Sequence, residues 1–132
     1  MAIYSTEHRN FKLQVSRTLY EGATLLVCKG VTTNALVEPA PGNILSEHTL
    51  NGGRETEAVL EYTSGDVTVD SSANNSGDPT YLLVRDIVGK IQALYRIPID
   101  AVAVINGGQS IVQGTPVAVQ SIRVTEGNSG GT

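Results

Sequence analysis

The chain has 132 residues, enough for one ordinary domain or for a small domain with a long arm. Its net charge of −4 comes without any basic run, which argues against nucleic acid as the main partner. No apolar run approaches the roughly 20 residues that a membrane span needs. The N-terminus MAIYSTEHRNFK has no apolar signal core, so the expectation is a soluble protein made in the cytoplasm, with no membrane partner.

Residues 1–9 are polar and read as an extended arm. Phe11, Leu13 and Val15 alternate with polar neighbours, the period of a half-buried strand. Glu21-Gly22 signals a turn. Ala23–Lys29 then reads as a strand apolar enough to be covered on both sides, and Val31–Val37 as a weaker one. Cys28, the single cysteine, lies in this apolar run, so a buried and inert thiol is expected, and no intrachain disulfide can form.

Glu38–Arg54 carries two prolines and three glycines, a density of breakers that predicts a long loop without a regular element. Ile44, Leu45 and Leu50 are apolar anchors within it. They either cover this protein's own core or dock on a neighbouring subunit. Thr56–Tyr62 and Asp66–Asp70 read as strands of a hairpin joined through Thr63-Ser64-Gly65-Asp66, with Gly65 where φ is positive and Val59, Val67 and Val69 facing inward.

Asp78–Pro98 has helical period. Asp78 suits an N-cap and Pro79 the first helical position. Val84, Ile87, Val88, Ile91, Leu94 and Tyr95 recur at spacings of three and four, and Ile97-Pro98 ends the segment. Gly89 is read as a costly helical glycine. Beyond it, Ala101–Ile105 is a short buried strand, Asn106-Gly107-Gly108 a turn, and Ser110–Val112 a brief strand. Val117–Val124 alternates, with a slip between Val119 and Ile122 that predicts a β-bulge. Residues 126–132 form a polar, glycine-rich tail.

The fold expected from these elements is α+β and β-rich: a mixed sheet packed on one central helix, with N-terminal strands and extended arms. The chain divides into residues 1–55 (arm, strands and Pro/Gly loop), a body over 56–125, and the tail 126–132.

The order hairpin, helix, strand, turn, strand over residues 56–125 resembles a ubiquitin-like β-grasp domain. Carrying the resemblance are Ile91-Gln92, Ile97-Pro98-Ile99-Asp100, Ala101–Ile105 running into Asn106-Gly107-Gly108, and Gly114-Thr115-Pro116-Val117. It covers about half the chain. It implies a modifier or sulfur carrier that uses a C-terminal Gly-Gly carboxylate. Here Gly130-Gly131 is followed by Thr132, which would have to be removed first.

No residue pattern in the chain points to catalysis, a cofactor or a metal. His8 and His48 stand some forty residues apart without HxH, HxxxH, CxxC or ExxH pairs. There is no G-x-S-x-G elbow and no phosphate loop. Glu55, Glu57 and Glu61 read as the solvated face of one strand. The expected function is non-enzymatic. The overall organisation resembles the small accessory proteins of tailed-phage particles, above all capsid decoration (cement) proteins. That resemblance implies attachment to the major capsid protein or other virion proteins, a homo-oligomer or symmetric assembly, and location in the virion. The attachment residues expected are Ile3 and Tyr4 in the arm and Ile44, Leu45 and Leu50 in the loop.

Overall fold

Among the described residues one α-helix precedes eight strands, which pair into two antiparallel sheets of four. The computed structural model describes residues 5–30 and 36–125. The helix is α1 (Thr6–Leu19). The strands are β1 (Thr24–Cys28), β2 (Ile44–Thr49), β3 (Arg54–Thr56), β4 (Val59–Thr63), β5 (Tyr81–Arg85), β6 (Ile91–Arg96), β7 (Ala101–Ile105) and β8 (Val119–Thr125). The first sheet runs β2-β1-β5-β6 and the second β3-β4-β8-β7. Strands from residues 1–55 and from 56–125 therefore share a sheet and a core.

The two sheets face each other across that core. Leu25 and Val27 of β1, Leu82 and Val84 of β5, Leu60 and Tyr62 of β4, and Ile122 and Val124 of β8 are buried in it. β1 is paired on both edges and buried along nearly its whole length, as its continuous apolar run predicts. On the outer face of the first sheet, Leu26, Cys28, Tyr81 and Leu83 form a second cluster, joined by Ile44, Ile91 and Leu94.

Asp78–Pro98 is not a helix. It contains the β5–β6 hairpin, so the arrangement of a sheet on a central helix is not what residues 56–125 build. Tyr81–Arg85 is apolar on both faces because it is covered on both faces, and such a run fits strand or helix equally well. The turn decides between them. The Asp86 carboxylate accepts from the backbone N–H groups of Val88 and Lys90, and Asp86 N–H donates to the Lys90 carbonyl. Gly89 adopts φ +89°, which suits a turn glycine. Ile87 and Val88, assigned to a helical stripe, stand exposed at the tip.

The opposite error occurs at the N-terminus, where the strand expected over Phe11–Val15 is the middle of α1. The arm expected over 1–9 is helical from Thr6 onward, capped by Ser5, whose Oγ accepts from His8 N–H at 3.1 Å. Alternation there had put Phe11, Leu13 and Val15 on one side. On the helix Leu13 is buried while Phe11 and Val15 face out.

The breaker-rich loop also contains structure. Pro41–Asn43 forms a 3-10 turn with proline at its start, and Ile44–Thr49 follows as β2. One strand expected over 56–62 is instead the β3–β4 hairpin, turning at Glu57 and Ala58, both at positive φ. No glycine or asparagine marks that turn. What pins it lies far off in sequence: Asn10 Oδ1 of α1 accepts from Ala58 N–H at 2.7 Å. Thr63–Asp66 does turn, but Gly65 is not among the residues at positive φ. Asp66–Asp70 is no strand, making only isolated bridges, Leu50 with Val67 and Asp70 with Val117. Val67 is buried and Val69 exposed, and in β4 it is Leu60 and Tyr62, not Val59, that face the core. Ser110–Val112 is likewise reduced to one bridge, Gly77 with Ile111. β7 lies where expected but is not buried throughout, because it is an edge strand with Val102 and Val104 exposed. The bulge in β8 falls at Gln120, since Val104 pairs with Ser121 and Ile105 with Val119. The weak strand expected over Val31–Val37 falls mostly outside the described residues.

Candidate functional site

α1 has two faces. The inner face packs on the β3–β4 hairpin and brings Leu13 into the core. Arg17 Nε donates to Glu55 Oε2 at 2.6 Å, and that carboxylate raises the guanidinium pKa further. Just past the helix, Tyr20 turns between the sheets and its hydroxyl meets that of Tyr95 at 2.6 Å. The rings stand edge to face at 6.5 Å, a favoured aromatic geometry. α1 is thus held on the second sheet by its inner face and, just past its end, on the first sheet through Tyr20.

The outer face carries Phe11, Val15 and Leu19, one helical turn apart on a single ridge. Phe11 is 60 % exposed and Val15 70 %. With Gln14 and Thr18 they form a continuous, largely apolar strip on the surface. A rigid helix that displays an aromatic and two aliphatic side chains to water has the anchors of a helix-in-groove contact.

The sequence placed attachment elsewhere. Leu45 and Leu50 are buried in the protein's own core, and Ile44 packs on the outer cluster of the first sheet. They are therefore structural: Leu45 and Leu50 fill the core between the sheets, and Ile44 covers the other face of the first sheet. Ile3 and Tyr4 lie outside the described residues, as do Gly130 and Gly131. The stripe on α1 was missed because the alternating reading of 11–15 assigned those residues to a strand. The signal that could have found it is Ser5 as N-cap, followed by Leu13, Ser16, Arg17 and Tyr20 at helical spacing.

One pair of side chains has the look of catalysis. Ser46 Oγ lies 2.8 Å from His48 Nε2, and His48 Nδ1 lies 2.7 Å from the Thr68 carbonyl oxygen. A carbonyl can only accept, so in the neutral ring Nδ1–H donates to Thr68 and Nε2 accepts from the Ser46 hydroxyl. That is the arrangement of a base and its nucleophile. Both residues are sealed between the sheets, however, with Ser46 at 0 % exposure. The pair fastens the Val67–Asp70 segment onto β2, alongside Thr68 N–H to the Thr49 carbonyl and Thr49 N–H to Thr68 Oγ1.

Burial pushes the His48 pKa below its usual 6.5, against smaller opposing effects of the Thr68 carbonyl, Asp70 and Glu47. The unfolded chain then takes up a proton that the folded chain refuses. The stability due to neutral His48 is complete above about pH 6.5 and is lost as pH falls toward the folded pKa. We expect the urea midpoint to drop between about pH 7 and about pH 5, and the drop to shrink in His48→Gln. An equal drop in both proteins would contradict this.

The other titratable groups are structural in their surroundings. Burial raises the Cys28 thiol to about 11, a value at which the reactive thiolate is scarce. Glu55 pairs with Arg17, and Glu61 lies between Arg54 at 3.6 Å and Arg123 at 3.7 Å on the outer face of the second sheet. Among the described residues no group of three or more His, Cys, Asp or Glu side chains could hold a metal ion, and no helix is long and apolar enough to cross a membrane. No protein family, curated protein or solved structure matches the chain.

Proposed function

We propose that this chain is a non-enzymatic interaction protein that fastens to a symmetric protein assembly through the outer face of α1, in the manner of a virion decoration protein. The observation that carries this reading is the exposed ridge of Phe11, Val15 and Leu19 on a helix whose other face is locked to the body. The partner is a protein presenting an apolar groove wide enough for one helix, here the major shell protein of a tailed-phage particle. Seating the ridge removes apolar surface from water at about 25 cal/mol per Å². Because α1 is already folded and oriented, little ordering entropy is lost on docking. Repetition of the groove over a symmetric shell would then place many copies in register.

Co-sedimentation with empty shells of the phage encoding the chain tests this. The double variant Phe11→Ser/Val15→Ser should bind about 100-fold more weakly, as when two anchors of about 1.4 kcal/mol each are lost. It should keep its melting temperature, since both side chains face water. Unchanged binding would overturn the assignment of α1 as the attachment face.

A further inference from the structure

The second sheet has one covered edge and one open one. At one end β3 lies under α1. At the other end β7 pairs only with β8, and among the described residues no backbone group of Ala101–Ile105 bonds to anything else. The first sheet protects its β2 edge differently, through Thr68 and the Leu50–Val67 bridge. An open edge strand is a template for further pairing, and natural proteins usually blunt it with charge, proline or a cover. β7 reads Ala-Val-Ala-Val-Ile and has none of these. Ala101 and Ile105 point into the core, whereas Val102 and Val104 stand on the outer face at 54 % and 41 % exposure. Ile99, just before the strand, is exposed as well.

We propose that β7 pairs with β7 of a second copy of this chain, antiparallel about a two-fold axis through Ala103, joining the two second sheets into one sheet of eight strands. The strand is self-complementary in this register. Ala103 meets Ala103 of the second copy, Val102 meets Val104, and Ala101 meets Ile105, so every pair is apolar. The first charged residue at either end, Asp100, falls opposite Asn106, so no like charges confront each other across the axis. The four valines form a continuous patch on the outer face. An unrelated extended peptide could satisfy the same backbone groups but would meet this pattern only by coincidence, whereas a second copy supplies it twice. Pairing through a single short strand falls at the small end of specific interfaces, below roughly 1,200 Å² in total, so the dimer is a weak one.

Sedimentation velocity on the full chain tests the proposal. The wild type should pass from monomer to dimer as concentration rises through about 10–100 µM. Val102→Lys/Val104→Lys sets lysine against lysine twice across the axis and should remain monomeric. Val102→Lys/Val104→Glu sets lysine against glutamate twice and should restore the dimer, an outcome that merely changing the surface would not produce. Circular dichroism melts establish that each variant is folded. A wild type that stays monomeric throughout would overturn the proposal whatever the variants do, as would a dimer that survives the double lysine substitution or fails to return with the lysine–glutamate pair. Phe11→Ser/Val15→Ser should leave this dimer intact. Loss of the dimer in that variant would place the self-contact on α1 and overturn the β7 pairing, while shell binding is read separately.

Discussion

Gly53→Ala is expected to destabilise the protein by about 3 kcal/mol, the upper range for overpacking a filled core. A methyl group at Gly53 would sit 2.6 Å from Cε1 and Cζ of the Tyr62 ring and 3.0 Å from its hydroxyl oxygen. The ring cannot easily retreat. Tyr62 lies in β4, between β3 and β8, and is buried against the inner faces of both sheets. Nor is the backbone free, because Gly52 N–H is held by the Glu21 carboxylate at 3.2 Å, tying this loop to the end of α1. The matched control is Gly65→Ala. It meets nothing within 4 Å and is not at positive φ, so it should fall within about 0.5 kcal/mol of the wild type. Urea unfolding of both variants checks the pair. Equal midpoints would mean that the backbone at Gly53 does not press on Tyr62.

Gly89→Ala has an expected sign that distinguishes two structures for the same segment. In a helix over 78–98, alanine for glycine would add about 1 kcal/mol of stability. In the β5–β6 hairpin, Gly89 holds φ +89° in a turn closed by Asp86, and an L side chain there costs roughly 1–2 kcal/mol. No atom outside its own chain neighbours lies within 4 Å of the added carbon, so backbone strain is the only cost. We expect a lower melting temperature. A higher one would favour the helix.

That segment illustrates how far the sequence could be read. Strands β1, β7 and β8 were legible because their patterns are unambiguous over several residues, and the Gln120 bulge was legible as a slip of one residue in an alternation. The β-rich α+β class follows from such elements. The β5–β6 hairpin was not legible as such, because Val84, Ile87, Val88, Ile91 and Leu94 match helical spacing by chance. The chain is turned between them by the side chain of Asp86, which accepts from two N–H groups further along, and by Gly89 at positive φ. The Glu57–Ala58 turn depends on Asn10, 48 residues earlier, and so is invisible locally. β2 was hidden among prolines and glycines that in fact flank it rather than interrupt it.

The candidate site shows the same limit. Leu45 and Leu50 were read as anchors either for the protein's own core or for a neighbour, and in the fold they are buried in the core. Exposure depends on which residues pack around a side chain, and hydrophobicity alone cannot report it. Phe11 and Val15 are no more apolar than Leu13. They face water because α1 places its inner face, and no other, on the β3–β4 hairpin. Ser46 and His48, two residues apart, carried no motif. Their hydrogen bond follows from sharing one face of β2.

The proposed attachment through α1 is tested most directly by hydrogen–deuterium exchange on the chain bound to the proposed partner shell. The added protection should concentrate in peptides covering residues 5–20, while the β5–β6 tip around Ile87 and Val88 exchanges as in the free protein. Protection gained at that tip with none over residues 5–20 would contradict it.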